Sequence, residues 1–297
     1  MKVIVTGGSG LVGRYVIDEL LDQQVDVVNL DIRPPSDAPG EPSHRSGAGF
    51  RQVDLMDATA TKAAIKDADA VVHLAAIPNP NNDPGERVMG VNMLTTYNVL
   101  EAIRQNGIRR VVYGCSESAS GFGIHRVEHV PLYVPIDEEH PCWPHETYSF
   151  TKYFGELMFQ ELARADGVEV VSLRYGWVWF REHRDALLKL VAERGDEDEQ
   201  WHFGAYVLAE DVAQAVRRAL DCSLPNPAMP FEACYIVAAE PLYTAPTLQA
   251  IRNAFGERTP PVKPPDYFER NPRASAYNIG KARRLLGYEP RYTCQDI

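Results

Sequence analysis

Five short runs set the architecture. They are "KVIVTG" from Lys2, "VDVVNLD" from Val25, "ADAVVHLAA" from Ala68, "RRVVYGCS" from Arg109 and "VEVVSLRYG" from Val168. Each is crowded with β-branched residues and bounded by polar ones, the pattern of a strand buried on both faces. Between them, residues 11–24, 85–105 and 146–165 carry apolar side chains three and four apart, the period of an amphipathic helix. Strand, helix and strand in strict alternation predict an α/β fold: a doubly wound parallel sheet covered by helices on both sides. After about residue 176 the rhythm loosens. Segments rich in Trp, Pro and charge alternate with helical stretches at 209–220, 247–255 and 280–287.

The turn after the first strand adds chemistry. "TGGSGLVG" carries glycines at 7, 10 and 13 and leads into the first helical stretch, so Leu11 and Val12 open that helix. A backbone without side chains lets a pyrophosphate approach, and a helix N-terminus offers it free N–H groups and partial positive charge. The second strand ends in Asp31, followed by Ile32, near the offset of about 20 residues at which an acid meets the adenosine ribose. A carboxylate there accepts from both hydroxyls and repels a 2′-phosphate, so NAD is expected over NADP, with Arg33 leaving NADP open. The expected organisation is a Rossmann NAD-binding domain over 1–175 and a small, mainly substrate-binding lobe over 176–297. Residues 205–240 are expected to contribute elements back to the first domain.

Composition removes several function classes. The chain has 297 residues and 41 acidic against 30 basic side chains, a formal charge of −11, with no basic run, so no nucleic-acid partner is expected. Five scattered cysteines, never as CxxC, point to reduced thiols and a cytoplasmic setting. No apolar run is long enough to span a bilayer, and the opening "MKVIV" stops at Gly7 and Gly8, too soon for a signal peptide. His125, His129, His140, Cys142 and His145 have some metal-like spacings. Prolines interrupt them and no second ligand pair follows, so no metal is expected. Two segments rich in turn formers, "RPPSDAPGEPSHRSGAG" and "PNPNNDPGE", read as solvated loops, the second also as a flap beside the cofactor.

In "ETYSFTK", Tyr148 stands four residues before Lys152, so phenol and ammonium share one helix face. Alone, that spacing fits a proton-handling pair or a surface turn equally. Together with "TGGSGLVG", Asp54 in "QVDLM", "HLAA" at 73–76, Asn92 in "GVNMLTTYNVLEA", a serine after "RRVVYGC" and the tail "KARRLLGYEPRY", it resembles the extended short-chain dehydrogenases/reductases, the NAD-dependent epimerase/dehydratase family. The resemblance implies that Tyr148 is the general acid/base in hydride transfer and that Lys152 steadies its phenolate and holds the ribose. Ser116 is then the hydroxyl that positions the substrate oxygen, with Ser118 as the alternative. It further implies that Asp54 meets the adenine amino group, Leu55 packs on the ring, and Leu74, Ala75, Ala76 and Tyr175 lie along the cofactor. Asn92 is placed near the cofactor but is expected to pin helix geometry. The family's habit implies a homodimer formed through residues 86–105 and 146–164.

Departures from the nucleotide-sugar epimerases narrow the substrate. Trp177 stands where they place an asparagine, Gly204 where they place an arginine, and the connecting segment is short. The pattern "CSESASGFG" is similar to the uronate-dehydrogenase branch. A small sugar or sugar-acid pocket is therefore expected. Ser118, Trp177, Arg181 and Arg184 are candidates to meet the substrate, Arg174 is a further candidate to meet a carboxylate, and Trp201 with the Trp177 segment offers aromatic stacking. The expected activity is NAD-dependent hydride transfer at a secondary alcohol or ketone. The alternatives are a nucleotide-sugar 4-epimerase or dehydratase using the same residues, and a non-catalytic dinucleotide-binding regulator.

Overall fold

The computed structural model describes residues 1–35, 47–78, 83–123, 129–194 and 203–293. His125, Trp201, Cys294 and the middles of the two turn-rich segments lie outside the described residues.

Seven strands form one parallel sheet: β1 (Lys2–Thr6), β2 (Asp26–Asp31), β3 (Gly49–Gln52), β4 (Ala70–His73), β5 (Arg110–Ser116), β6 (Glu169–Tyr175) and β9 (Phe231–Ile236). Their order across the sheet is β3-β2-β1-β4-β5-β6-β9. β1 pairs with β2 on one side and β4 on the other, so the winding reverses there. In sheets of this kind a ligand binds beyond the strand ends at that reversal.

Successive side chains on a strand face opposite ways, and each face has its own core. Val3 and Val5 of β1 face helices α1 (Leu11–Asp22) and α6 (Ala209–Asp221), burying Val16, Ile17, Leu20, Val212 and Val216. Ile4 faces the other way, toward α2 (Ala58–Ile65), α3 (Gly85–Asn106) and α4 (Thr147–Asp166), with Ile65, Val99, Ile103, Phe159 and Leu162. The five runs thus become strands because neither face of any of them meets water.

Downstream of β6 the chain makes a second, two-stranded parallel sheet from β7 (Trp177–Trp179) and β8 (Tyr206–Leu208). Trp179, Leu187 of α5 (Arg184–Arg194), Tyr206 and Leu208 form a small core of their own there. α6 and β9 then return to the large sheet. The remaining helices, α7 (Thr247–Phe255), α8 (Tyr267–Arg270) and α9 (Gly280–Leu286), pack Ile251, Phe255, Phe268 and Leu286 into the first core. Among the described residues no helix is long and apolar enough to cross a membrane.

Candidate active site

The glycine turn is packed to its backbone. Gly7 has φ +71°, and a Cβ there would sit 2.7 Å from the Ala75 nitrogen at the end of β4. A Cβ on Gly13 would overlap the Gly7 carbonyl, whereas one on Gly10 would meet only that carbonyl, at 3.1 Å. The turn is therefore closed toward the protein and open at Gly10. α1 starts there with no side-chain cap and no acidic residue in its first turn. N–H groups and dipole are thus left for an external anion.

Asp31 is held beside this turn. One carboxylate oxygen accepts from the Ser9 N–H at 3.1 Å and the other from the Arg33 N–H at 3.1 Å. Ser9 in turn donates its hydroxyl to the Arg33 carbonyl at 2.8 Å. Ile32 and Asp54 are exposed nearby in sequence order, Asp54 accepting from the Met56 N–H at 2.9 Å. Leu55 is buried in the second core, and its carbonyl accepts from Asn98 at 2.8 Å, so its side chain serves the protein interior. The described geometry fits a dinucleotide: a glycine cradle, an uncapped helix start and an acid fixed beside them.

β4 connects this cradle to the second half of the site. Leu74 lies against Gly114 of β5, where a Cβ would meet its side chain at 2.8 Å. Ala75 and Ala76 follow, half-buried. Asn92 clamps the next loop: its oxygen accepts from the Ile77 N–H at 2.7 Å, and its amide donates to the Ile77 carbonyl at 3.1 Å and to Thr151 of α4 at 3.2 Å. All of this side chain's described bonds tie protein to protein. His73 lies beneath, bonded to Thr6 at 2.7 Å and Thr96 at 3.2 Å. Burial pushes its pKa down to about 3, so it is neutral at physiological pH.

Tyr148 and Lys152 enter from α4. Glu146 caps that helix, accepting from the Tyr148 N–H at 2.7 Å and also from Ser149, which fixes the turn that carries Tyr148. The Lys152 ammonium donates to the Gly114 carbonyl at 2.8 Å and sits 5.7 Å from the centre of the Tyr148 ring. Both side chains are buried. Burial lowers the Lys152 pKa to about 8, and burial also holds the Tyr148 phenol above its ordinary range. A hydrogen bond with Ser116 acts against the latter shift.

Ser116 ends β5, and its oxygen accepts from the Ser118 hydroxyl at 2.9 Å and the Ser118 N–H at 3.2 Å. With those two bonds accepted, its own proton remains to be given to the phenol or to a substrate oxygen. Ser118 is fully buried, so it orients Ser116 from behind. Cys115 is buried and its thiol is pushed well above its ordinary range by burial, which leaves it an unreactive packing group. Tyr175 pairs in register with Ser116, and its buried hydroxyl has no hydrogen-bond partner among the described residues.

Of the candidates for substrate contact, Trp177 is 45% exposed on β7, its ring edge-on to Trp179 at 4.4 Å. Arg181 is paired with Glu210 and stacks on Tyr292 at 4.7 Å. Arg184 lies 3.9 Å from Asp185, well exposed. Arg174 is buried against Glu156 of α4 at 2.6 Å and 3.1 Å, with Ser172 donating to the same carboxylate at 2.7 Å. It joins β6 to α4 and is closed to an external carboxylate. Among the described residues no three His, Cys, Asp or Glu side chains are grouped to hold a metal.

Two acids escaped the sequence reading. Glu146 stands one residue before α4, a capping position that the sequence pattern at a helix start signals. Glu117 lies inside "CSESAS", among three serines. A charged residue between a buried strand and a run of small residues was the available signal.

Residues 3–225 match the model of the NAD dependent epimerase/dehydratase family. A putative UDP-glucose 4-epimerase of Methanocaldococcus jannaschii is 32% identical over 60% of this chain and 56% of its own, so the match spans little more than half of that relative. An L-arabinose 1-dehydrogenase (NAD(P)(+)) of Haloferax volcanii is 32% identical over 76% of this chain and 84% of its own. A uronate dehydrogenase of Pseudomonas putida is 28% identical over 59% and 60%. The solved UDP-glucose 4-epimerase of Thermotoga maritima superposes with a TM-score of 0.71 at 20% identity, covering 100% of this chain and 96% of its own, a likeness of fold.

Proposed function

The chain belongs to the NAD-dependent epimerase/dehydratase family and is an NAD-dependent enzyme of the extended short-chain dehydrogenase type; on that premise we propose that it oxidises a secondary alcohol of a small sugar-like substrate, or reduces the matching ketone, with Tyr148 as the proton carrier. The observation that carries this reading is the convergence of three groups from two elements: Ser116 at the end of β5, and Tyr148 and Lys152 on one face of α4, next to the strand that backs the glycine cradle.

NAD, when bound, would supply the hydride acceptor, and the glycine cradle, Asp31 and Lys152 are the residues that would hold it. The other roles belong to the protein. Ser116, its oxygen already loaded by Ser118, gives its proton to the substrate oxygen and holds that oxygen within reach of the phenol. Tyr148 takes the substrate's proton in oxidation and returns one in reduction. A buried phenol is a poor base, because burial disfavours its charged form, and the Lys152 ammonium is the nearby positive charge that favours ionisation. The carbonyl of Gly114 holds that ammonium in place.

Trp177, half-exposed where the epimerases keep an asparagine, offers an apolar face to a sugar ring and no donor to a diphosphate at its ring face. That observation favours a substrate without a nucleotide handle over the second reading, a nucleotide-sugar epimerase or dehydratase. Exposed Leu94 and Tyr97 of α3 and Phe154 and Leu157 of α4 form a two-helix apolar surface suited to a homodimer.

The test is to mix the protein with NAD and a panel of free sugars, uronic acids and UDP-sugars and follow absorbance of reduced nicotinamide. Net NADH formation from a free sugar or sugar acid is the expected result. Inversion of a UDP-sugar with no net NADH would overturn the reading.

A further inference from the structure

Lys152 carries a buried ammonium with few partners. It is 7% exposed, and among the described residues its one hydrogen bond goes to the Gly114 carbonyl at 2.8 Å, with no carboxylate paired to it. An ammonium has three donors, and a buried charge costs free energy unless something compensates it. Two rings lie within reach of a cation–π contact: the Nζ is 5.7 Å from the centre of the Tyr148 ring and 5.5 Å from that of Tyr113. Tyr148 is the group that gains and loses a proton, so Tyr113 is the contact that stays constant through a turnover.

Tyr113 is fixed from several sides. It is 2% exposed in β5, packed on Phe159 at 5.0 Å and stacked beside His73 at 5.9 Å. Its hydroxyl occupies a notch in α4 that exists because residue 155 is glycine: a Cβ there would lie 2.2 Å from that oxygen. Through the notch the hydroxyl donates to the Lys152 carbonyl at 3.4 Å, and the Cys115 thiol donates to the same carbonyl at 3.5 Å. Tyr113 and Cys115, two apart on a strand, share its face toward α4. Three consecutive residues of β5 thus hold Lys152 at both ends, Tyr113 and Cys115 by its carbonyl and Gly114 by its ammonium.

On the reading that this ammonium favours the ionised form of the Tyr148 phenol, we propose that Tyr113 is a positioning residue for the proton relay: its ring face keeps the Lys152 ammonium charged and in place between β5 and Tyr148. The other titratable groups around Lys152 supply no negative charge to do so. Burial holds the Cys115 thiol of β5 well above its ordinary range and lowers the His73 imidazole of β4 to about 3, so both are neutral near neutral pH. Glu156, one turn further along α4, is committed to Arg174 and Ser172. Burial also raises the Tyr113 phenol well above its ordinary range, so its ring meets the cation as a neutral phenol. Burial lowers Lys152 itself to about 8, close enough to neutral pH that losing one favourable contact shifts it toward the uncharged amine.

The experiment titrates Lys152 directly, by NMR on protein with isotope-labelled lysine side-chain nitrogens, the signal assigned by its loss in Lys152→Met. It needs neither cofactor nor substrate. The native protein is compared with Tyr113→Phe, Tyr113→Leu and Tyr113→Met. Tyr113→Phe keeps the ring and should leave the Lys152 midpoint within about 0.3 pH units of native, whereas the two aliphatic variants should lower it by about 0.5 to 1 unit. NADH formation from the panel of free sugars, uronic acids and UDP-sugars, read near neutral pH, should fall by about 3- to 10-fold in the aliphatic variants and stay within about twofold of native in Tyr113→Phe. A midpoint that stays put or rises in the folded aliphatic variants would overturn the proposal. So would an equal fall in Tyr113→Phe, which would assign the effect to the hydroxyl, or a lowered midpoint with undiminished NADH formation, which would remove Tyr113 from the relay. Failure of every probe to yield NADH would instead count against the dehydrogenase reading, while the titration would still decide whether the Tyr113 ring holds the ammonium charged. Circular dichroism shows which variants have kept their fold; Tyr113→Met, unbranched and flexible, refills the site if Tyr113→Leu has not.

Discussion

At the scale of single residues, burial governs the ionisation of this site. Lys152 and His73 are held toward their neutral forms, and Glu117 is held toward its acid form. For Glu117 the consequence for stability has a definite sign. Its folded pKa of about 8 exceeds the ordinary 4.5, so the folded state binds the extra proton between those values. Stability from this group is full below pH 4.5 and is lost as pH rises through about 8. The groups facing it, Tyr277 and Tyr148, stay neutral through that window, since burial raises both. Glu117→Gln removes the dependence. The melting temperature of the variant relative to the native protein should therefore rise by roughly 5 °C or more between about pH 5 and pH 8.5. A constant gap across that range, measured by scanning calorimetry, would contradict the burial account.

Elements bring these residues together, and each does so through a backbone constraint. The turn between β1 and α1 works because Gly7 adopts a left-handed φ and touches Ala75. Gly7→Ala adds a Cβ where no space exists, so it should weaken NAD binding by about 10-fold or more and lower the melting temperature. Isothermal titration with NAD checks it; unchanged affinity would mean the turn does not cradle the cofactor. Much of this level was legible beforehand. The five strands and the helices at α1, α3, α4, α6, α7 and α9 follow from apolar period, and the glycine spacing marks the turn. What sequence could not give was partnership. Arg174 in isolation reads as a carboxylate receptor, yet β6 and α4 bring it against Glu156, more than a dozen residues away in the chain. Ser118 reads as an alternative to Ser116, and the turn after β5 puts it behind Ser116 instead. Arg181 likewise is paired with Glu210. These are long-range or three-dimensional facts that neither periodicity nor spacing encodes.

For the whole molecule, the interleaving of chain segments matters most. α6 packs on the large sheet and β9 joins it although both follow the β7–β8 pair, and Ala238 and Leu242 after β9 return to the small core, so the chain passes repeatedly between the two sheets. Tyr15 of α1 adds a bond to Glu182 at 2.8 Å, joining α1 to the segment before α5. The exposed apolar surface of α3 and α4 lies on the helix that carries Tyr148 and Lys152. If two copies pair there, light scattering at micromolar concentration should give a dimer, and Leu157→Asp with Phe154→Asp a folded monomer; a native monomer would remove the dimer proposal. The central claim, that a phenol beside a buried ammonium relays the proton, is tested most directly by Tyr148→Phe with turnover and NAD affinity measured on the same preparation. Turnover should fall by about 10²-fold or more while NAD affinity stays within about twofold. Native turnover in that variant would contradict the claim, because some other group would then carry the proton.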